Sequence, residues 1–311
     1  MTPNPLRPRA LRPGDPVAVL SPSGPPKPEQ VRRGVALLEG WGLRVRVSPR
    51  AFDVHGYLAG DDETRLAELN AALRDPAVRG IFCARGGYGL SRMVDRVDFA
   101  AAASDPKIVV GYSDITALFC GLYVHSGVTS VHGPVVITFG KDGLDPVVGD
   151  SLRAAVMTTE PVVLTPDAAE PSAALTRGDA PVTGRLLGGN LSLLVDAVGT
   201  PTCPDYRGAI VFCEEINEEP YRVDRILTQL RRSGTLDGIA GIALGQFTSC
   251  GDDDWDWGVV DTLRDRLADL DVPVLGGIPI GHGDNPRTIP FGTTATLDPV
   301  ARVLTAAAAV S

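Results

Sequence analysis

The chain has 311 residues, 44% of them hydrophobic, with a formal net charge of −9. That length exceeds the ~250–300 residues at which a single core stops growing, so two domains are expected, and the acidic balance argues against a nucleic-acid-binding surface. No run approaches the ~18 apolar residues of a membrane span, the proline-rich start MTPNPLRPRALRPGDP lacks the apolar stretch of a secretory signal, and the five widely spaced cysteines read as reduced, buried thiols, so a cytoplasmic protein is expected.

From residue 16 short apolar runs alternate with amphipathic segments. PVAVL reads as a strand, PEQVRRGVALLEGWG as a helix with Val31, Val35, Leu37 and Leu38 at helical spacing, and LRVRV as a strand of period two. A helix follows over DDETRLAELNAALRD, with acids in its first turn. Then come the strand GIFCA, a short helix after GGYGL, the strand KIVVG and a helix from Asp114 to about His125. Repeated strand–helix alternation predicts an α/β fold with a mainly parallel sheet flanked by helices.

The stretch from about Thr138 to Pro181 is rich in Asp, Pro, Thr and Ala, with a weak helical piece, GDSLRAAVM, and a strand-like PVVLT. It reads as a crossover, giving an N-terminal domain over residues 1–136, a linker over 137–180 and a C-terminal α/β domain with a β-rich end over 181–311. In that last part AIVFCEE, GIALGQF and VPVLGGIPIGHG read as strands and YRVDRILTQLRRSG and WGVVDTLRDRLADL as helices. TIPFGTTATLDPVARVLTA reads as a closing hairpin.

Chemistry concentrates at the ends of strands. In KIVVGYSDIT a β-branched run breaks at Gly111 and restarts as a helix, leaving Ser113 at the bend. Such a serine is either an ordinary helix cap, worth ~1 kcal/mol, or a nucleophile held where the helix dipole and free N–H groups favour an oxyanion. This is the mechanics of a nucleophile elbow, although the G-x-S-x-G sequence is absent because Ile115 stands at its last position. A serine nucleophile needs a base, and only His55, His125, His132 and His282 exist. His125 ends the helix that Ser113 starts, ~18 Å away at 1.5 Å per residue. His55 and His132 sit beside glycines, as turn residues or substrate contacts. His282, in the loop PIGHGDNPR after an apolar strand, is the best placed. The orienting carboxylate is sought in IVFCEEINEEPYRVDR, where Glu214 and Glu215 end a strand and Glu218 and Glu219 follow in the loop. Spacing does not rank these four acids, and Glu214, directly after the strand, is the best held.

In CARGGYG the phosphate-loop pattern is incomplete, since Arg92 replaces its last glycine. Gly86 and Gly87 could instead bring backbone N–H groups to a reacting carbonyl. The acidic DDDWDWG fails as a calcium loop, its glycine one place late and Leu263 at the twelfth position, and reads as a solvated loop. No cysteine or histidine spacing offers a metal site, and no cofactor is expected.

Together CARGGYG, GYSDIT, GRLLGGNLSLL, EEINEEPYRVDR and GIPIGHG resemble the L,D-carboxypeptidase family of serine peptidases, in the family's order and over almost the whole chain. The resemblance implies a Ser-Glu-His triad on Ser113, Glu214 and His282, with oxyanion donors on the N–H of Asp114 and of Gly86 or Gly87. The family's acid is usually followed by Asp where Glu215 stands here, which keeps Glu215 in contention. It implies a murein tetrapeptide substrate losing terminal D-alanine in cytoplasmic cell-wall recycling, without metal, nucleic acid or membrane, and a homodimer. The alternatives are a microcin C immunity-type hydrolase of peptide–nucleotide amides and, in another class, a non-catalytic two-lobed ligand-binding protein.

Overall fold

A computed structural model gives the structure of residues 5–251 and 256–311; residues 1–4 of the proline-rich start and 252–255 of the acidic loop lie outside the described residues. The first half follows the predicted alternation: β1 (Pro16–Leu20), α1 (Pro28–Gly40), β2 (Arg44–Val47), α2 (Asp62–Arg74), β3 (Gly80–Cys83), α3 (Phe99–Ser104), β4 (Ile108–Gly111), α4 (Thr116–Ser126) and β5 (Ser130–His132). Local chemistry explains the boundaries. Asp61 caps α2 by accepting the N–H of Thr64, and α4 ends at Gly127 in the left-handed conformation.

Alternate residues of these strands feed two cores. Ile81, Cys83 and Val109 pack with Leu69 and Leu73 of α2 and Leu118 and Phe119 of α4. Phe82, Ile108 and Val110 pack on the other side with Val31 and Leu38 of α1. Helices therefore cover both faces, which is why the central strands are apolar throughout. The stretch read as a weak helical piece is a twelve-residue helix, α5 (Pro146–Met157), that buries Leu152, Ala155 and Val156 beside α1. Asp145 caps it and Pro146 begins it, so the helix starts three residues before the piece read from sequence.

The second half holds β6 (Val162–Leu164), β7 (Val182–Asn190), α6 (Leu191–Asp196), β8 (Ala209–Ile216), α7 (Pro220–Arg232), β9 (Gly241–Thr248), α8 (Val259–Leu267), β10 (Val274–Leu275), β11 (Ile289–Phe291), β12 (Thr294–Asp298) and β13 (Val303–Ala306). Its sheet runs β10-β9-β8-β7-β12-β13-β6, parallel from β10 to β7 and antiparallel beyond. The expected hairpin is β12–β13. The strand expected over VPVLGGIPIGHG is only two residues long. Beyond it Gly276 passes so close to Ser172 that a Cβ there would lie 1.8 Å from the Ser172 carbonyl oxygen, and Ile278 and Ile280 bond β9 singly, out of strand register.

Sequence order and spatial order part company near the C-terminus. The first sheet is β11-β5-β4-β3-β1-β2, so Ile289, Pro290 and Phe291 return to pair antiparallel with β5. Ala308, Ala309 and Val310 return again, buried with α1 and α5, and the Ser311 N–H donates to the Pro8 carbonyl (2.9 Å). Between the sheets, Phe212 of β8 meets His132 of β5 and Phe291 of β11, with ring centroids 5.2 Å and 6.3 Å apart.

Candidate active site

Ser113 lies where β4 gives way to α4. Tyr112 is extended, Ser113 has φ 64, and a 3-10 turn over Ser113–Ile115 leads into the helix. A non-glycine residue in that left-handed conformation costs roughly 1–2 kcal/mol and persists only where the surroundings enforce it. Asp114 does much of the enforcing. Its buried carboxylate accepts from Ser23 Oγ (2.5 Å) and the Leu90 N–H (3.0 Å), tying the loops after β1 and β3 to the start of α4. Burial holds this carboxyl above the usual carboxylate range.

The glycine loop after β3 presses on the serine. A Cβ at Gly86 would sit 2.9 Å from Ser113 Cβ and 3.1 Å from Oγ, so no larger residue fits without displacing the hydroxyl. Gly87 lies against Gly24, and the Gly24 N–H donates to the Gly86 carbonyl (3.0 Å). Tyr88, next in the glycine loop, is exposed and meets the exposed Tyr57 edge to face at 5.8 Å.

The second half contributes an acid and a base. His282 Nδ1 is 2.6 Å from Glu214 Oε2, and Glu214 is fully buried at the end of β8. The flanking glycines permit this approach. Gly281 has φ 124, and a Cβ there would come within 2.9 Å of Glu214 Oε2. The Gly283 N–H donates to Gln246 Oε1 (3.0 Å), whose Nε2 donates to Glu170 (2.7 Å), so the loop is anchored beyond the histidine. With Nδ1 engaged, Nε2 remains for a second partner. Among the described residues no hydrogen bond joins His282 to Ser113. The two are connected through Tyr112, whose ring centroid is 4.5 Å from the imidazole.

Glu215 points the other way. Its carboxylate accepts from Asn190 Nδ2 (2.8 Å), the Ser192 N–H (2.8 Å) and Oγ (2.7 Å), and the Ile216 N–H (2.8 Å). This network fixes the turn from β7 into α6. Alternation along β8 separates the two acids, and the irregularity between Cys213 and Glu215 lies in the pairing with β9, which has two residues opposite Glu214.

The other histidines are dispersed. His55 is an exposed turn residue bridging to Leu58, and His125 is exposed on α4, stacked on Phe99 at 4.8 Å. His132, expected in a turn or at substrate, is instead a strand residue and fully buried. The cysteines form no disulfide, and burial pushes the Cys120 and Cys213 thiols up to about 12, far from thiolate chemistry. Among the described residues no group of three or more His, Cys, Asp or Glu is placed to hold a metal ion. Tyr112, Ser23, Asn190, Ser192 and Gln246 were not singled out from sequence, because each acts through a partner distant along the chain.

Two family models match the chain: LD-carboxypeptidase N-terminal domain over residues 17–133 and LD-carboxypeptidase C-terminal domain over residues 183–297. A Bacillus subtilis protein named "Probable murein peptide carboxypeptidase" is 36% identical over 308 residues, 98% of this chain and 95% of its own. The crystal structure of muramoyltetrapeptide carboxypeptidase from Oxalobacter formigenes is 31% identical with a TM-score of 0.83, covering 94% of this chain and 99% of that one. The microcin C7 self-immunity protein MccF, at 24% identity, shares the fold with a TM-score of 0.89 over 99% of this chain and 100% of its own. A non-catalytic two-lobed binder is thereby set aside. With both halves matched in order, the chain belongs to the LD-carboxypeptidase family and is a serine peptidase of the L,D-carboxypeptidase type.

Proposed function

We propose that the enzyme removes terminal D-alanine from murein tetrapeptide in cell-wall recycling, using Ser113 as nucleophile, His282 as general base and acid, and Glu214 to orient the imidazole. The observation that carries this reading is the 2.6 Å contact between Glu214 and His282, across the site from a serine held at φ 64. Ser113 Oγ attacks the amide carbonyl carbon while its proton passes to His282 Nε2. The Nδ1–H of His282 donates to Glu214 throughout, and the negative charge of that carboxylate stabilises the imidazolium. The N–H of Asp114 and one N–H of the Gly86–Gly87 pair receive the oxyanion. Collapse of the tetrahedral intermediate breaks the C–N bond, and His282 gives its proton to the departing amine. Water, activated by the same imidazole, then releases the acyl group from Ser113.

In this reading the nucleophile belongs to a domain over residues 1–136 and the acid and base to one over 181–311, joined by 137–180. The enzyme acts on murein peptide in the cytoplasm, as a homodimer, without metal, cofactor, nucleic acid or membrane. No helix among the described residues is long and apolar enough to cross a bilayer. A second reading, hydrolysis of a peptide–nucleotide amide, is favoured by the exposed Tyr57–Tyr88 pair, on which a base could stack. Mass detection of D-alanine released from murein tetrapeptide, beside a peptidyl-nucleotide amide at equal concentration, tests both. Turnover of the nucleotide amide alone would overturn the murein assignment.

A further inference from the structure

Glu214 is fully buried, yet only one of its oxygens is bonded. Oε2 meets His282, while Oε1 has no hydrogen-bond partner among the described residues. Facing it, 3.9 Å away, is Nε2 of His132, 1% exposed, and neither ring nitrogen of His132 has a partner. Two buried polar groups side by side without partners would each cost about 1–3 kcal/mol. The gap is too short for a bridging water and about 1 Å longer than a hydrogen bond, and bonds within catalytic groups often tighten only when substrate binds.

We propose that His132 is a positioning residue for the reaction: as the neutral Nε2–H tautomer it donates to Glu214 Oε1 and fixes the carboxylate whose other oxygen holds His282. This rests on the triad reading above. A carboxylate only accepts, so the proton must be on Nε2. The ring packs edge-on to Phe212 and Tyr112. The ionisable groups facing it are Glu214, His282 and Tyr112, and burial, aided by the His282 charge, lowers its pKa to about 3. The location gives the bond its purpose. His132 pairs with Gly111 across β5 and β4, two residues before Ser113, and the Gly133 N–H donates to the Gly111 carbonyl (2.9 Å). The strand that delivers the nucleophile is thus tied through His132 to the acid delivered by the other sheet.

The test compares His132→Gln, which keeps an N–H near the Nε2 position, with His132→Met, which fills similar volume with no donor. His132→Met is expected to lower kcat about 10- to 100-fold, the scale of losing a group that orients another from behind, with KM within about twofold, whereas His132→Gln keeps kcat within about threefold. Equal losses in the two variants, or a His132→Met kcat within about twofold of wild type, would overturn the proposal. Glu214→Gln is measured alongside. If it is fully active, the triad reading itself fails; if it is inactive while His132→Met is fully active, only the role of His132 fails. Imidazole nitrogen NMR on the wild-type protein needs no variant to fold. It should show His132 as the neutral Nε2–H tautomer across pH 5–8, and an Nδ1–H tautomer would overturn the assignment.

Discussion

The backbone at Ser113 separates the cost of the elbow from the chemistry of the hydroxyl. At φ 64 a Cβ is unwelcome whatever the side chain, so Ser113→Gly should be more stable than Ser113→Ala by about 1 kcal/mol in urea unfolding. Both should lose hydrolysis and fluorophosphonate labelling by ~10⁴-fold or more. A soluble Ser113→Ala protein that keeps a few per cent of wild-type turnover would remove Ser113 as nucleophile. The two glutamates should divide the same way. Glu214→Gln is expected to cut kcat by orders of magnitude with little loss of stability. Glu215→Gln should change kcat far less but destabilise by about 1–3 kcal/mol, since an amide cannot accept from both Asn190 and the Ser192 N–H. A larger kcat loss in Glu215→Gln would reverse the two roles. At this scale the sequence was informative where a residue's neighbours declare its strain, as at Ser113 between Gly111 and a helix, or at His282 between glycines. It read His132 as a turn residue or substrate contact, because a lone histidine before a glycine at the end of a three-residue strand looks like a turn until the opposite sheet supplies a carboxylate.

Elements deliver these residues by close approach. Gly86→Ala would place a methyl group 2.9 Å from Ser113 Cβ, and Gly281→Ala would do the same against Glu214 while also straining φ 124. Both variants should lose kcat by at least tenfold, the scale of misplacing reacting groups by a fraction of an ångström to 1 Å. Wild-type kcat in Gly86→Ala would mean that the loop yields and that its position does not govern the hydroxyl. The strands and helices around these loops were legible because the 3.6 and 2.0 periodicities are local properties. The misread pieces failed for physical reasons. A short apolar run does not distinguish a ladder strand from a chain that bonds its neighbour only intermittently, as residues 276–280 do behind β9. The pairing of Ile289, Pro290 and Phe291 with β5 joins residues more than 150 apart in sequence, which no local pattern encodes.

For the whole molecule, buried His132 predicts a pH dependence with a definite sign. Its folded pKa, about 3, lies below the ~6.5 of an unfolded chain, so acidification protonates the unfolded state first. The stability associated with the neutral ring is present above ~6.5 and is lost at about 1.4 kcal/mol per unit as pH falls towards 3. Denaturant midpoints between pH 7 and 5 should fall for wild type and fall less for His132→Gln; equal slopes would show that His132 does not control the acid limb. The threading of the chain has a consequence for recombination. β11 and the tail of Ala308, Ala309 and Val310 are built into the first sheet and its helix layer, although they follow the entire second sheet in sequence. A chimera with a relative, cut once in the stretch between the two matched regions, would not exchange one sheet for another. It would seat a foreign strand beside β5 and a foreign tail under α1; because β12 and β13 of the second sheet lie between these two pieces, keeping both sheets native takes four cuts, one between α5 and β6, one on each side of residues 289–291 and one after β13.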